Sequence, residues 1–196
     1  MNRLVLASGS RVRAALLRQA GLEFDTCAAD VDEFVTKRQM AGADPMAVAE
    51  ALAAIKAVAV SPAYPGAVVI GADQMLVCGD ALFDKPANLD EARSHLRRLR
   101  GRTHHLCTAT ALVRDGEVLW RHSERPELVM RPFSDCFIET YLSAVGDDAL
   151  LSVGAYQLEG RGAQLFERVS GDFFSILGLP LLPLLAFLRH RQLIEA

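Results

Sequence analysis

Leu4-Val5-Leu6-Ala7-Ser8-Gly9-Ser10-Arg11-Val12-Arg13, running on through Leu16, Leu17 and Ala20 to Gly21, decides the fold class. The apolar run Leu4–Ala7 has the length of a buried strand, and the spacing from Arg11 onward is that of a helix ending at a glycine. A strand, a turn of small residues and a helix aim backbone N–H groups and the positive end of a helix dipole at one point, which suits an anion. Outward from this unit the pattern repeats with variations. Phe24–Ala29 reads as a strand leading into the acidic Asp30-Val31-Asp32-Glu33. Asp44-Pro45 reads as an N-cap with proline at the first helical position of an alanine-rich helix to about Val60, carrying Lys56 and broken by Ser61-Pro62 and Pro65-Gly66. Ala67–Ile70 is a strand ending at Gly71-Ala72-Asp73-Gln74, and Met75–Cys78 continues it to a turn at Gly79-Asp80. Phe83-Asp84-Lys85-Pro86 is a loop before a helix over Leu89–Arg100, closed by Gly101. Residues 103–131 read as a hairpin, with Thr108–Val113 and Val118–His122 flanking Asp115-Gly116. Ser134 opens a helix to Val145, Ala163–Val169 is strand-like, and the last helix starts at Pro180 or Pro183 and ends in Arg189-His190-Arg191. The class is α/β with some antiparallel pairing.

Composition narrows the function. The chain has 196 residues, 51% of them hydrophobic, which is enough for a sizeable core and fits one domain spanning 1–196. Lys and Arg number 21 against 24 Asp and Glu, which argues against a polyanion-binding coat. Arg93, Arg97 and Arg100 share a helix face beside Arg98 and Arg102, but no aromatic residues alternate with them as stacking platforms, so a solvated face is expected there. The apolar stretch Ile176–Leu188 is interrupted by Gly178, Pro180 and Pro183 and falls short of a membrane span, and Leu4–Ala7 is too short for an export signal. Cys27, Cys78, Cys107 and Cys136 show no CxxC pairing and are expected to be packed, reduced thiols of a cytoplasmic protein. The histidines, His104 and His105 among them, lack zinc-ligand spacing.

Polar clusters follow the strand-like segments: Ser8-Gly9-Ser10 with Arg11 and Arg13, then Asp73-Gln74, then Asp84-Lys85. In open α/β sheets, ligands gather at strand ends. Small residues let a backbone approach phosphate, and arginine grips its oxygens with a planar fork. Asp73 can hold a divalent cation or activate water, Asp32 or Glu33 can add a second carboxylate, and Lys56 and Lys85 can neutralise a polyphosphate. Each has a plainer reading. Ser8-Gly9-Ser10 can be a loop and an N-cap, Asp73 an acceptor of backbone hydrogen bonds, Lys56 a solvated charge, Lys85 a turn residue, and Asp30, Asp32 and Glu33 an exposed loop.

The ordered set of motifs resembles the Maf family of nucleoside triphosphate pyrophosphatases over nearly the whole length. It comprises Leu6–Arg13, Val31-Asp32-Glu33, Lys56, Ile70–Gln74, Asp84-Lys85-Pro86, Gly154-Ala155-Tyr156-Gln157-Leu158-Glu159-Gly160 and Gly178-Leu179-Pro180-Leu181. The resemblance implies a Maf/ITPase-like fold: an elongated mixed β-sheet flanked by helices, with two lobes and a central cleft. It implies cleavage of the α–β phosphoanhydride of modified or non-standard nucleotides to a monophosphate and pyrophosphate, with a divalent cation (Mg²⁺ or Mn²⁺), in the cytoplasm, commonly by a dimer. Neither nucleic acid nor a membrane is implied as a partner. By position in the motifs, Asp73 matches the general base and, with Glu33, the metal ligands. Lys56 and Lys85 match catalytic cations, and Ser8, Ser10 and Arg13 match phosphate contacts. The chain departs from the family's Ser-x-Ser-Pro-Arg-Arg, having Arg11 for the proline and Val12 for the first arginine. Gln74, Glu159 and Leu165-Phe166-Glu167-Arg168 resemble the branch acting on 7-methylguanosine triphosphate, although the arginine which that branch carries at the position of Ala14 is missing. A carboxylate at 159 can accept from guanine N1–H and the N2 amine and disfavours the O4 edge of uracil, or it can pair with Arg161 or Arg168. A nucleotide-binding regulator of septum formation with little turnover is the alternative. The retained Arg13, Lys56, Asp73 and Lys85 favour the enzyme.

Overall fold

The computed structural model describes residues 3–195. Its strands are β1 (Leu4–Leu6), β2 (Asp25–Thr26), β3 (Val68–Cys78), β4 (Ala81–Phe83), β5 (Thr103–Arg114), β6 (Glu117–Glu124), β7 (Glu127–Met130) and β8 (Phe166–Ser170). Its α-helices are α1 (Arg11–Gln19), α2 (Glu33–Gln39), α3 (Pro45–Val60), α4 (Leu89–Leu99), α5 (Asp135–Val145), α6 (Phe173–Ile176) and α7 (Leu181–His190). The strands form one mixed sheet in the order β2-β1-β3-β5-β7-β8, with β4 beside β3 and β6 beside β5. β1 is parallel to β2 and β3, whereas the β3–β4, β5–β6, β5–β7 and β7–β8 pairs are antiparallel.

The chain divides into two compact units. One holds residues up to Gln74, Thr108–Glu124 and the chain from Asp172 onward, and the other holds Met75–Cys107 and Arg125–Gly171. In the first unit, residues alternate between two apolar clusters, as the two-residue period of a strand requires. Leu4, Leu6, Val68, Ile70 and Ala72 pack with Leu17 of α1 and with Leu184 and Leu188 of α7. Val5, Ala7 and Val69 pack with Ala57 and Val60 of α3. Burying one such leucine or valine contributes about 2 kcal/mol. With the 3₁₀ turn Ser61–Ala63 that follows it, α3 forms a stretch, Pro45–Ala63, long and apolar enough to cross a membrane by length and composition. Here its Val48, Ala49, Leu52, Ala53, Ala57 and Val60 are buried, so it serves as a core helix of this unit.

Gly71 sets how closely α3 lies on β3. A Cβ at this position would run into the Ala53 carbonyl oxygen and come within 2.9 Å of both Ala57 N and Cβ. The small residues Ala53 and Ala57 on the helix and the absent side chain on the strand together bring the two backbones into contact.

In the second unit, β7 returns along the first half of β5, pairing Thr103 with Val129 and His105 with Glu127, and β8 pairs with β7. α4 and α5 are joined through ion pairs. Arg93 Nε and Nη2 donate to Glu139 at 2.6 and 2.9 Å, and Arg97 and Arg100 reach Asp135 at 3.1 and 2.6 Å. These arginines lower the pKa of Asp135 and of Glu139 and bridge helices; they are not the merely solvated face expected.

Several sequence expectations shift. Asp30–Glu33 is not simply an acidic loop, because Asp32 caps a helix, accepting from Val35 N at 3.2 Å, and Glu33 is its first residue. Phe24–Ala29 shrinks to the two-residue β2. The hairpin over 103–131 is three strands, since β5 is long enough to pair with β6 at one end and β7 at the other. Ala163 and its neighbours form a 3₁₀ turn (Arg161–Leu165) before β8, and a short helix, α6, precedes the last one. Cys136 is exposed, not packed, while Cys78 and Cys107 are buried. Gly71→Ala is expected to destabilise the protein by about 3 kcal/mol, since overpacking against backbone has no side chain to yield. A urea unfolding midpoint within experimental error of the parent would refute the close contact.

Candidate active site

The Ile70–Gln74 motif does not end a strand; it lies in the middle of β3. The parallel neighbour β1 stops earlier. Its last paired residue is Leu6, opposite Ile70, after which Ala7 N donates to Ile70 O at 2.8 Å and the chain turns into Ser8-Gly9-Ser10. Asp73 therefore stands beyond the carboxyl end of β1, beside the start of α1. The strand end expected near Asp73 is that of β1, not of β3.

Alternation along β3 puts Val69, Gly71 and Asp73 on the face covered by α3. On α3, Lys56 lies between Ala53 and Ala57, the residues that meet Gly71. Lys56 Nζ donates to Asp73 Oδ1 at 2.6 Å and pairs with Glu33 Oε1 at 2.7 Å. Its side chain is 12% exposed, Asp73's 8% and Glu33's 44%. Two carboxylates thus share one ammonium, contrary to the reading of Lys56 as a solvated charge. Losing one partner of such a buried set leaves an uncompensated charge.

The turn after β1 has the plainer reading, a loop and an N-cap, and it also fixes Arg13. Ser10 caps α1, its hydroxyl accepting from Arg13 N at 3.3 Å, and Ser8 Oγ accepts from Ser10 N at 3.2 Å. Arg13 Nε donates to Gly178 O at 2.8 Å, and Nη1 donates to Ala72 O at 2.9 Å and to Ser8 Oγ at 3.3 Å. Its pKa is lowered by burial, with Asp73 and Glu33 opposing the shift. The guanidinium is held rigidly, with Nη2 carrying donors beyond those bonds. Gln74 Nε2 lies 2.8 Å from Thr108 Oγ1 and 3.1 Å from the carbonyls of Ser175 and Ile176, and Thr108 Oγ1 donates to Ser175 O at 2.9 Å. Thr108 and Ser175 were not singled out in the sequence. Their only signal is that both are polar residues within apolar segments.

The structure brings Ser8, Ser10, Arg13, Glu33, Lys56, Asp73 and Gln74 into the first unit. Asp84 and Lys85 are exposed, between β4 and α4 of the second unit, and Glu159 is exposed in a turn of that same unit. Arg168 pairs with Glu127 at 2.9 Å, so it is not the partner of Glu159. The turn bearing Glu159 is firmly anchored. Gly154 and Ala155 have φ of 78° and 65°, and the latter is strained for a residue with a side chain. Tyr141 Oη donates to Ala155 O at 3.3 Å, and Tyr156 Oη lies 2.8 Å from His104 Nε2.

A divalent cation suits the donors of the first unit. Glu33 and Asp73 offer hard carboxylate oxygens close enough together to share one positive charge, as Lys56 shows, and such oxygens suit Mg²⁺ or Mn²⁺. Among the described residues no group of three or more His, Cys, Asp or Glu is placed to hold a metal, so further ligands would come from phosphate or water.

A family model described as "Maf-like protein" matches residues 3–191. The chain belongs to the Maf family. A protein of Brucella abortus biovar 1 (strain 9-941) named 7-methyl-GTP pyrophosphatase is 51% identical over 195 residues, covering 98% of each chain. One of Hyphomonas neptunium (strain ATCC 15444) named nucleoside triphosphate pyrophosphatase is 54% identical over 194 residues, covering 97% of each. A solved HAM1 protein from Coxiella burnetii matches 66% of this Maf chain and 73% of its own with a TM-score of 0.45 and 17% identity, too distant a likeness to carry an argument.

One consequence is measurable away from catalysis. Burial, with His105 adding to it, pushes the His104 pKa down to about 4, and Nδ1 has no partner among the described residues. The unfolded chain takes up this proton near pH 6.5 and the folded one does not, so stability falls as the pH drops from about 7 toward 4. By pH 5 the loss from this residue is about 2 kcal/mol. Urea unfolding of wild type and His104→Gln at pH 7 and pH 5 checks it, the variant losing less; equal losses would refute it.

Proposed function

We propose that this Maf-family chain is a nucleoside triphosphate pyrophosphatase, and that Asp73 is the base which takes the proton of the attacking water. The observation that carries the reading is the Glu33–Lys56–Asp73 cluster beside the turn from β1 into α1, a grouping of carboxylates and a cation next to an anion-accepting helix start. The names of the relatives from Brucella and Hyphomonas support the reaction class.

In the proposed reaction, water oxygen bonds to a phosphorus of the α–β anhydride and the bond from that phosphorus to the bridging oxygen breaks. Pyrophosphate and a nucleoside monophosphate result. The proton of water passes to an Asp73 carboxylate oxygen and from there to product. Arg13 presents Nη2 to phosphate oxygens, its other donors fixed by the Gly178 and Ala72 carbonyls. Such a fork, already immobilised, loses little freedom on binding phosphate. Lys56 and Arg13 offset charge that develops on the phosphate oxygens. Ser8 and Ser10 shape the turn that receives the anion. Glu33 and Asp73 would hold a divalent cation, which when bound neutralises phosphate charge and polarises the anhydride.

The roles of Lys85 as a phosphate contact and of Glu159 as a reader of the base rest on their match to family motifs. Gln74 has its amide nitrogen tied to Thr108 and to two carbonyls, so Oε1 is what it has left to offer a base. An acceptor at 74 favours a base edge rich in donors, and by its motif match a carboxylate at 159 suits the positive charge of 7-methylguanine. We place the activity in the cytoplasm, which the lack of CxxC spacing among Cys27, Cys78, Cys107 and Cys136 supports.

Pyrophosphate release with Mg²⁺ or Mn²⁺ should be followed across UTP, dTTP, CTP, GTP, ITP and 7-methyl-GTP. The expected outcome is highest kcat/KM for 7-methyl-GTP, and for Asp73→Asn a fall in kcat of about 100-fold or more with nucleotide affinity little changed. Unchanged turnover in Asp73→Asn refutes its role as base, and a preference for UTP or dTTP refutes the base assignment while leaving the reaction standing.

A further inference from the structure

The ammonium of Lys56 occupies the place between Glu33 and Asp73 where a metal ion would take its protein ligands, 2.7 Å from one carboxylate and 2.6 Å from the other. We propose that Lys56 is the resident counter-ion of this carboxylate pair. A divalent cation then joins the pair only in company with a triphosphate, toward which the lysine turns. The inference rests on the proposed nucleotide reaction and adds to it the order in which the charges assemble.

Three observations carry it. First, the two carboxylates already have a partner whose side chain is largely shielded from solvent, so an incoming cation must displace a lysine as well as its own water. Second, the described residues supply no third ligand of the kind that would let the protein hold the ion alone. Third, opposite charges already face one another in the first unit: Lys56 pairs with Glu33 and Asp73, and both carboxylates are close enough to Arg13 to oppose the lowering of its pKa. Carboxylates and cations already engaged with one another draw neither a bare cation nor a bare polyanion strongly. A cation bound to a triphosphate brings both kinds of charge together, and the flexible four-carbon stem of Lys56 lets its ammonium exchange carboxylate for phosphate oxygens.

The test is titration of Mn²⁺ followed by the electron paramagnetic resonance of the free ion. It uses wild type, Lys56→Met and Lys56→Gln, each with and without a non-hydrolysable α,β-methylene triphosphate. Wild type alone is expected to leave the free-ion signal intact, and with the analogue present to deplete it beyond what the same analogue does in protein-free solution. Either Lys56 variant is expected to bind Mn²⁺ without analogue about tenfold or more tightly than wild type does, because the uncompensated carboxylates now attract it. Adding Glu33→Gln should abolish that gain and so locate it. Nucleotide-free wild type that binds Mn²⁺ as tightly as the variants overturns the proposal, as do folded variants with no gain. Should neither variant fold, wild type decides: depletion without analogue overturns the proposal, as does depletion with analogue no greater than in protein-free solution, and depletion beyond that baseline only with analogue sustains it. An analogue that fails to bind with or without Mn²⁺ counts against the nucleotide reaction, whereas Mn²⁺ on the free protein with pyrophosphate release intact counts only against the role of Lys56.

Discussion

The contact of α3 with β3 at Gly71 is the constraint on which the rest of the site depends. A strand places every second residue on one face, and a helix brings residues three and four apart together. Where Ala53 and Ala57 press on Gly71, the next strand residue on the same face is Asp73 and the helix residue between the two alanines is Lys56. The 2.6 Å ion pair follows from this registry. A longer side chain at 71 would lift the helix from the strand and separate the charges. The cost of holding a lysine and an aspartate in a largely buried position is met because the backbones are already packed there for apolar reasons.

The second determinant is that β1 ends three residues short of Asp73. Hydrogen bonding between β1 and β3 runs out at Ile70, and the chain leaves the sheet through Ser8-Gly9-Ser10 into α1. That departure gives Asp73 its place beside the start of a helix. It also leaves the Ala72 carbonyl to accept from Arg13 Nη1. An arginine one turn into α1 can then hold the strand and the Gly178 carbonyl at once. The rigidity of Arg13 and the position of Asp73 have a common origin.

The class of fold was legible in Leu4–Gly21, because a strand, a turn and a helix each follow from local spacing. The pairing of Lys56 with Asp73 was legible in principle: Val69, Gly71 and Asp73 have strand period, Ala53, Lys56, Ala57 and Val60 have helix period, and the small residues at 71, 53 and 57 mark where they touch. Reading Gly71 as the end of a strand hid this. A glycine inside a strand signals the close approach of another backbone as readily as it signals a turn. The helix α2 was concealed for a different reason. Its first turn is acidic and it carries an exposed Phe34 and Val35, so no apolar face announces it, and only the Asp32 cap does. The ion pairs joining α4 to α5 were beyond reach, since nothing local in either helix tells that Arg93 and Glu139 will meet.

Gln74 serves the frame of the site as well as the proposed reading of the base. It follows Asp73 and so faces away from α3, toward the segment that contains α6. The two carbonyls it meets there, at Ser175 and Ile176, fix which end of its amide is nitrogen, because only N–H groups can satisfy them. Those carbonyls lie two and three residues before Gly178, whose own carbonyl accepts from Arg13. The segment is further held by Ser175 Oγ donating to Glu124 at 2.9 Å. Holding Ser175 and Ile176 therefore holds the acceptor that orients Arg13. Any loss of the amide at 74 acts on Arg13 through this segment, independently of the base. A change of base preference on substitution there has to be read as a ratio between nucleotides, because the positioning of Arg13 lowers all of them together.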